Sequence, residues 1–206
     1  MTGYKTWAAG DILTASDLNG YLRDQVVPIF ADTTARDAAI TAPTEGQFCY
    51  VTADDCFYVY NSSWIAYDNV WKSWTPTWSG VTKGTSPTET YAYYRIGKLV
   101  IAHGSITLGT GGGLTGSVTV TMPVATSASS ISSIAGQASF LDASASASFF
   151  GNVDIASGST TATIRAFDSS TTYLSRTNLS STIPFTGGAA WTVSDRIAFN
   201  VVYQVA

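Results

Sequence analysis

From about Trp71 onward the chain is written in a two-residue period, and that period leaves little room for helix. Ile197, Phe199, Val201, Tyr203 and Val205 alternate along the last stretch, the cleanest such pattern in the sequence. An apolar residue at every second position lines one face of a strand, whereas a helix needs a period of 3.6. Val118, Val120 and Met122 repeat the pattern. Further strands are expected over 91–96 and 98–108, hinged at Gly97, and over 131–141, 146–155 and 160–167. Short strands separated by Gly, Ser and Pro turns predict an antiparallel β-sandwich of jelly-roll-like build. No fixed-period repeat runs through it.

The first third is different. Thr14-Ala15-Ser16-Asp17-Leu18-Asn19-Gly20-Tyr21-Leu22 opens with Thr14 and Asp17 in capping-box spacing, and Leu18 and Leu22 share a helix face. The helix is expected to stop before Pro28, which cannot continue it. A second short helix is expected over 35–40, capped by Thr33 or Thr34. Pro43-Thr44-Glu45-Gly46 then signals a turn, followed by hairpin strands at 47–51 and 57–60 with Asp54-Asp55 between them. Trp64-Ile65-Ala66-Tyr67 completes a small β-meander. The fold class is therefore mainly β: a short helical element and meander over 1–70, then a β-sandwich head over 71–206. The head's first part reads as a Trp-rich connector with Trp71, Trp74 and Trp78.

Charged residues make up 12% of the chain, about half the usual share, so Ser, Thr, Asn and Gly must cover the surface. Net charge is −4, which argues against a general nucleic-acid binder lacking a basic stripe. Nine of the fourteen acids lie before residue 70, so the head is close to neutral. No basic run followed by an apolar core marks a secretory leader, and no stretch has the roughly 20 apolar residues of a membrane span. The expected product is made in a cytoplasm and inserts into no membrane. Cys49 and Cys56 flank the Asp54-Asp55 turn. They fit either a cross-hairpin disulfide or two semi-buried thiols, and cytoplasmic assembly favours the thiols.

Motifs for chemistry are sparse. His103 is the only histidine, so any Ser-His-Asp triad would need it, but no Gly-x-Ser-x-Gly elbow occurs. A strand-face histidine is the simpler reading. Gly111-Gly112-Gly113-Leu114-Thr115-Gly116 spells a dinucleotide fingerprint, but a strand and not a helix follows it, so it reads as a flexible inter-strand loop. Glu89, Asp142, Asp154, Asp168 and Asp195 are the head's carboxylates for glycan hydrolysis. Most sit beside turn signals, where Asp caps the local backbone. One histidine and two cysteines make no zinc site. Neither a catalytic residue nor a metal or other cofactor is expected.

The aromatic residues are the better lead. Tyr91, Tyr93 and Tyr94 cluster, as do the three connector tryptophans. Such rings either stack on sugars and partners or fill a core. Tyr173 and Trp191 are candidate sugar-stacking residues, on or beside the loops 168–172 and 186–191, with 109–116 as a third loop. The competing reading makes these loops plain turns and Trp191 core. Near the N-terminus, Trp7, Leu18, Tyr21 and Leu22 offer apolar area that a short helix cannot bury alone, which suggests assembly. The alternative is packing on the chain's own meander.

Several segments resemble minor tail proteins or tail fibres of long-tailed phages infecting actinobacteria. The likeness lies in Gly10-Asp11-Ile12-Leu13-Thr14-Ala15-Ser16-Asp17-Leu18-Asn19 and in Phe30-Ala31-Asp32-Thr33-Thr34-Ala35-Arg36-Asp37. It continues through Pro43-Thr44-Glu45-Gly46-Gln47-Phe48, Tyr60-Asn61-Ser62-Ser63-Trp64, Trp74-Thr75-Pro76-Thr77-Trp78 and Tyr94-Arg95-Ile96-Gly97-Lys98-Leu99. About half the chain is covered, mainly 10–108. The resemblance implies a non-enzymatic virion component, a homotrimer that docks to other virion proteins by its N-terminal part. Its head would meet the host, most simply a cell-wall glycan. The chain lacks a long fibrous shaft, so a capsid head fibre or decoration protein is a rival reading, and a glycan-degrading enzyme a second.

Overall fold

The computed structural model describes residues 7–22, 26–68, 70–128, 133–168, 175–185 and 190–205. The chain divides into two compact units, Met1–Val70 and Trp71–Ala206.

In the first unit, helix α1 (Ala15–Asp17) runs directly into a wider π-type turn, Leu18–Leu22. The capping box forms in both directions: Thr14 Oγ1 accepts the Asp17 N–H at 3.1 Å, and Asp17 Oδ2 accepts the Thr14 N–H at 3.3 Å. Among the described residues helical geometry ends at Leu22, with Gly20 weakening the stretch, and Val26 lies in a bend. No residue of α1 is buried.

Helix α2 (Thr33–Ala39) is capped by Asp32, not by either threonine. Asp32 Oδ1 accepts the Ala35 N–H at 2.7 Å, and its negative charge suits the helix start better than a hydroxyl does. The one side chain α2 buries is Arg36. Its guanidinium lies over the rings of Tyr58 and Trp64, 4.8 Å from each centroid, and its Nε bonds Asp37 Oδ1 at 2.8 Å. Strands β1 (Ile29–Phe30) and β2 (Phe48–Val51) pair in parallel. Strands β2, β3 (Cys56–Tyr60) and β4 (Trp64–Asp68) form the antiparallel meander. The β2–β3 turn is held by the Tyr58 hydroxyl on Asp54 Oδ2 at 2.6 Å and by the Tyr50 hydroxyl on Asp55. Cys49 and Cys56 are both thiols, not joined in a disulfide, and both are fully buried, on the inward face with Val51. Burial pushes the Cys49 thiol up.

The second unit contains β5 (Trp78–Thr82), β6 (Thr88–Ile96), β7 (Leu99–Thr107), β8 (Gly113–Thr121) and β9 (Ser133–Asp142). It continues with β10 (Ala147–Ile155), β11 (Thr161–Asp168), β12 (Ser175–Asn178) and β13 (Arg196–Gln204). The strands hydrogen-bond in the order β6-β7-β13-β9-β10-β11-β8-β5, with β12 alongside β11, and these pairings are antiparallel. The two layers come from one continuous ladder that folds over. Trp78 of β5 lies across the core from strands near the other end of that path. Its ring centroid is 6.0 Å from Phe199, and its indole N–H donates to the Tyr91 hydroxyl at 2.8 Å. The alternating residues of β13 fill the centre as expected, with Ile197, Phe199, Val201 and Tyr203 all buried.

Candidate functional site

The alternation that buries one side of each strand presents the other side to solvent, and the register aligns that outer side into rows. One row is unusual. His103 (β7) stands opposite Asn200 (β13), which stands opposite Gln137 (β9). Gln137 stands opposite Asn152 (β10), Asn152 opposite Arg165 (β11), and Arg165 opposite Asn178 (β12). Six polar side chains thus cross six neighbouring strands in a single line. The line ends in an ion cluster: Asp154 takes Arg165 Nε and Arg176 Nη1, each at 2.7 Å, while Arg165 Nη1 reaches Asn178 Oδ1 at 2.5 Å. Asn152 is 2% exposed and donates to Asp154 at 2.6 Å, but its own oxygen has no hydrogen-bond partner among the described residues.

Over the uncharged part of this row lies a groove of about 340 Å³, lined by Thr90, His103, Ser105, Gln137, Ser139 and Asn200, together with Phe150. None of its lining residues is Asp, Glu, Lys or Arg. Phe150 is 66% exposed at one end. At the other, Trp71 leans on His103 with ring centroids 4.9 Å apart and on Tyr94 at 5.9 Å. His103 is thus a strand-face histidine.

The tyrosine cluster is divided between the two faces. Tyr91 and Tyr93 turn inward against Trp74, at 5.5 and 6.0 Å, while Tyr94 joins Trp71 outside. Trp74 and Trp78 therefore pack the core, and Trp71, half exposed, belongs to the outer face. The sequence pattern held this signal, because β6 alternation separates Tyr94 from Tyr91 and Tyr93.

The end-loop candidates fare differently. Trp191 is a correction: it is 4% exposed, its ring lies 4.4 Å from Phe185 and 6.1 Å from Phe140, and its indole N–H donates to the Ile183 carbonyl at 3.0 Å. Buried against these rings, with its polar tip engaged, it offers no platform for a sugar. Tyr173 lies outside the described residues, as do 169–174 and 186–189. The glycine-rich segment is not a flexible loop. Gly109 N–H bonds the Lys83 carbonyl at 2.8 Å, Thr85 and Thr110 pair through two backbone bonds, and β8 already begins at Gly113.

The carboxylates serve as local anchors. Asp195 accepts the Ala143 and Thr192 N–H groups at 2.9 and 2.6 Å. Asp142 accepts from the Ser144 hydroxyl and the Ala145 N–H, which hold its carboxyl below the ordinary range. Burial would raise the Glu89 carboxyl, but the Tyr91 hydroxyl and the Lys83 ammonium outweigh it and keep it low. Among the described residues no cluster of three or more His, Cys, Asp or Glu is placed to hold a metal ion.

At the N-terminal unit, Trp7 and Tyr21 meet edge to face at 6.2 Å, both half-buried. Leu18 stays exposed, and the Leu22 side chain lies outside what is described. Ile12, at 84%, Leu13, Val27 and Ile29 are exposed as well. Pro28, Phe30, Ile40 and Gln47 border a pocket of about 430 Å³. None of the described helices is long and apolar enough to cross a membrane. Comparison with protein-family models, with curated proteins and with solved structures gave no match.

Proposed function

We propose that this chain is a phage virion protein, a minor tail protein or tail fibre. Its N-terminal unit docks to the particle, and its β head binds a host-surface glycan without cleaving it. The observation that carries the reading is the contrast between the two units. The head closes a large aromatic and aliphatic core, whereas the N-terminal unit leaves Ile12, Leu13, Leu18, Val27 and Ile29 exposed between residues 12 and 29. Large apolar side chains left exposed within one short stretch of chain suit an interaction surface. The resemblance over 10–108 supplies the kind of partner, other virion proteins.

The test replaces Ile12, Leu13 and Leu18 with serine in a phage that carries the chain, and follows the protein by immunogold microscopy. The expected result is a folded protein absent from particles, with wild-type label on the tail. Normal incorporation of the triple variant would refute the docking role, and wild-type label on the capsid would favour the head-fibre reading.

A further inference from the structure

We propose that the outer face of the head, along the row His103–Asn200–Gln137, is a binding site for a neutral oligosaccharide. The proposal rests on the reading of the head as a glycan binder and moves the site from the end loops to the sheet. Three properties of the groove point to this ligand class. Its lining offers imidazole, amide and hydroxyl groups but no Asp, Glu, Lys or Arg, so it suits a partner rich in hydroxyls and free of charge. A phosphate or an acidic polymer would find no lysine or arginine in it.

The second property is that the polar groups are unspent. Among the described residues no hydrogen bond engages the side chains of His103, Asn200 or Gln137, and all three are exposed. Carboxamides present a donor and an acceptor side by side, the combination that a pair of adjacent sugar hydroxyls uses.

The third is the pair of aromatic ends. Phe150 and Trp71 flank the row and stay exposed, although the core has taken in Trp74, Trp78 and Trp191. Apolar ring faces of a sugar stack on such side chains while its hydroxyls reach the amides between them. From His103 on β7 to Phe150 on β10 the groove crosses three strand spacings, roughly 14 Å, so it accommodates more than one sugar unit.

The experiment uses the full chain and two probes. The first is a set of linear neutral oligosaccharides built from hexopyranose or pentofuranose units, titrated by calorimetry and NMR. The second is purified actinobacterial cell wall in a pull-down. Asn200→Ala and Gln137→Ala each remove one or two hydrogen bonds and should weaken oligosaccharide binding about tenfold, the upper end for a single net bond. Ser139→Trp should fill the groove and abolish binding. Val193→Ser, on an exposed end turn, should change nothing. Far-UV circular dichroism and melting confirm that each variant is folded.

Binding by wild type that survives all three groove substitutions overturns the site but leaves the glycan-binding reading standing. Retention on cell wall without binding to any neutral oligosaccharide overturns the ligand class. Failure of wild type in both assays overturns the head's proposed role and this site with it. A groove substitution that changes the oligomer mass and leaves binding intact assigns the face to a second copy of the chain.

Discussion

Burial pushes the phenol of Tyr203 up to about 12 from its ordinary 10.0, although the Val124 N–H on its oxygen acts the other way. The Tyr203 hydroxyl donates to the Val124 carbonyl at 3.0 Å. Because the folded-state value is raised, the stabilisation is fully present below pH 10 and is lost as pH climbs through 12. Tyr91, raised by burial and by Glu89, acts in the same direction. Urea unfolding of the head should therefore show a falling midpoint over that alkaline window. Tyr203→Phe should lower stability by about 1 kcal/mol at pH 7 and flatten the alkaline fall; an unchanged alkaline profile would show that the phenol is not responsible. At this scale the sequence was an uneven guide. The thiols of Cys49 and Cys56 and the strand-face placing of His103 were legible. Trp191 was not, because a tryptophan beside a turn gives no sign of whether an aromatic pair waits for it. Arg36 was missed for the same kind of reason: a charge in a helix reads as solvated, and only the fold brings Tyr58 and Trp64 around it.

Strands with clean alternation were readable to within a few residues, and those without it were not. Strand β5 was taken for connector because Gly80, with φ +75°, and a register shift between Ser79 and Val81 interrupt its period. Strand β12, Ser-Arg-Thr-Asn, carries no apolar residue to alternate. The outer row is not legible in the sequence because a register is a relation between strands, and no single strand contains it. Gly104 shows how closely neighbouring strands depend on one another. It sits between Tyr91 and Phe199 in the ladder, and a Cβ there would lie 2.6 Å from Tyr91 Cδ1 and 2.8 Å from Phe199 Cζ. Two large rings occupy the space that one missing side chain leaves. Gly104→Ala should force both rings to shift at a cost of about 1–3 kcal/mol. Chemical unfolding measures the loss, and a change in near-UV dichroism would report the displaced rings. Wild-type stability in this variant would mean that the rings have room the geometry does not show.

For the whole molecule, we propose a homotrimer, which the resemblance to tail fibres implies and which the low charge and the many apolar residues of the chain suit. Sedimentation equilibrium of the full chain at micromolar concentration should return about three times 21.7 kDa. A monomer there would count against self-assembly. The broad architecture was legible because one-third of the chain carries helix and turn signals and the rest carries period two. What the sequence withheld was the path, and the path has a consequence for how the protein is made. Strand β13 lies between β7 and β9, joining the β6–β7 hairpin to the β8–β12 strands. A ribosome delivers all of those before it delivers β13. Until then the nascent head is two fragments with open edges and a half-built core, so the sheet closes only once synthesis has passed residue 204. A message that stops before β13 would yield a chain without the strand that joins the two fragments, and so unable to close the head.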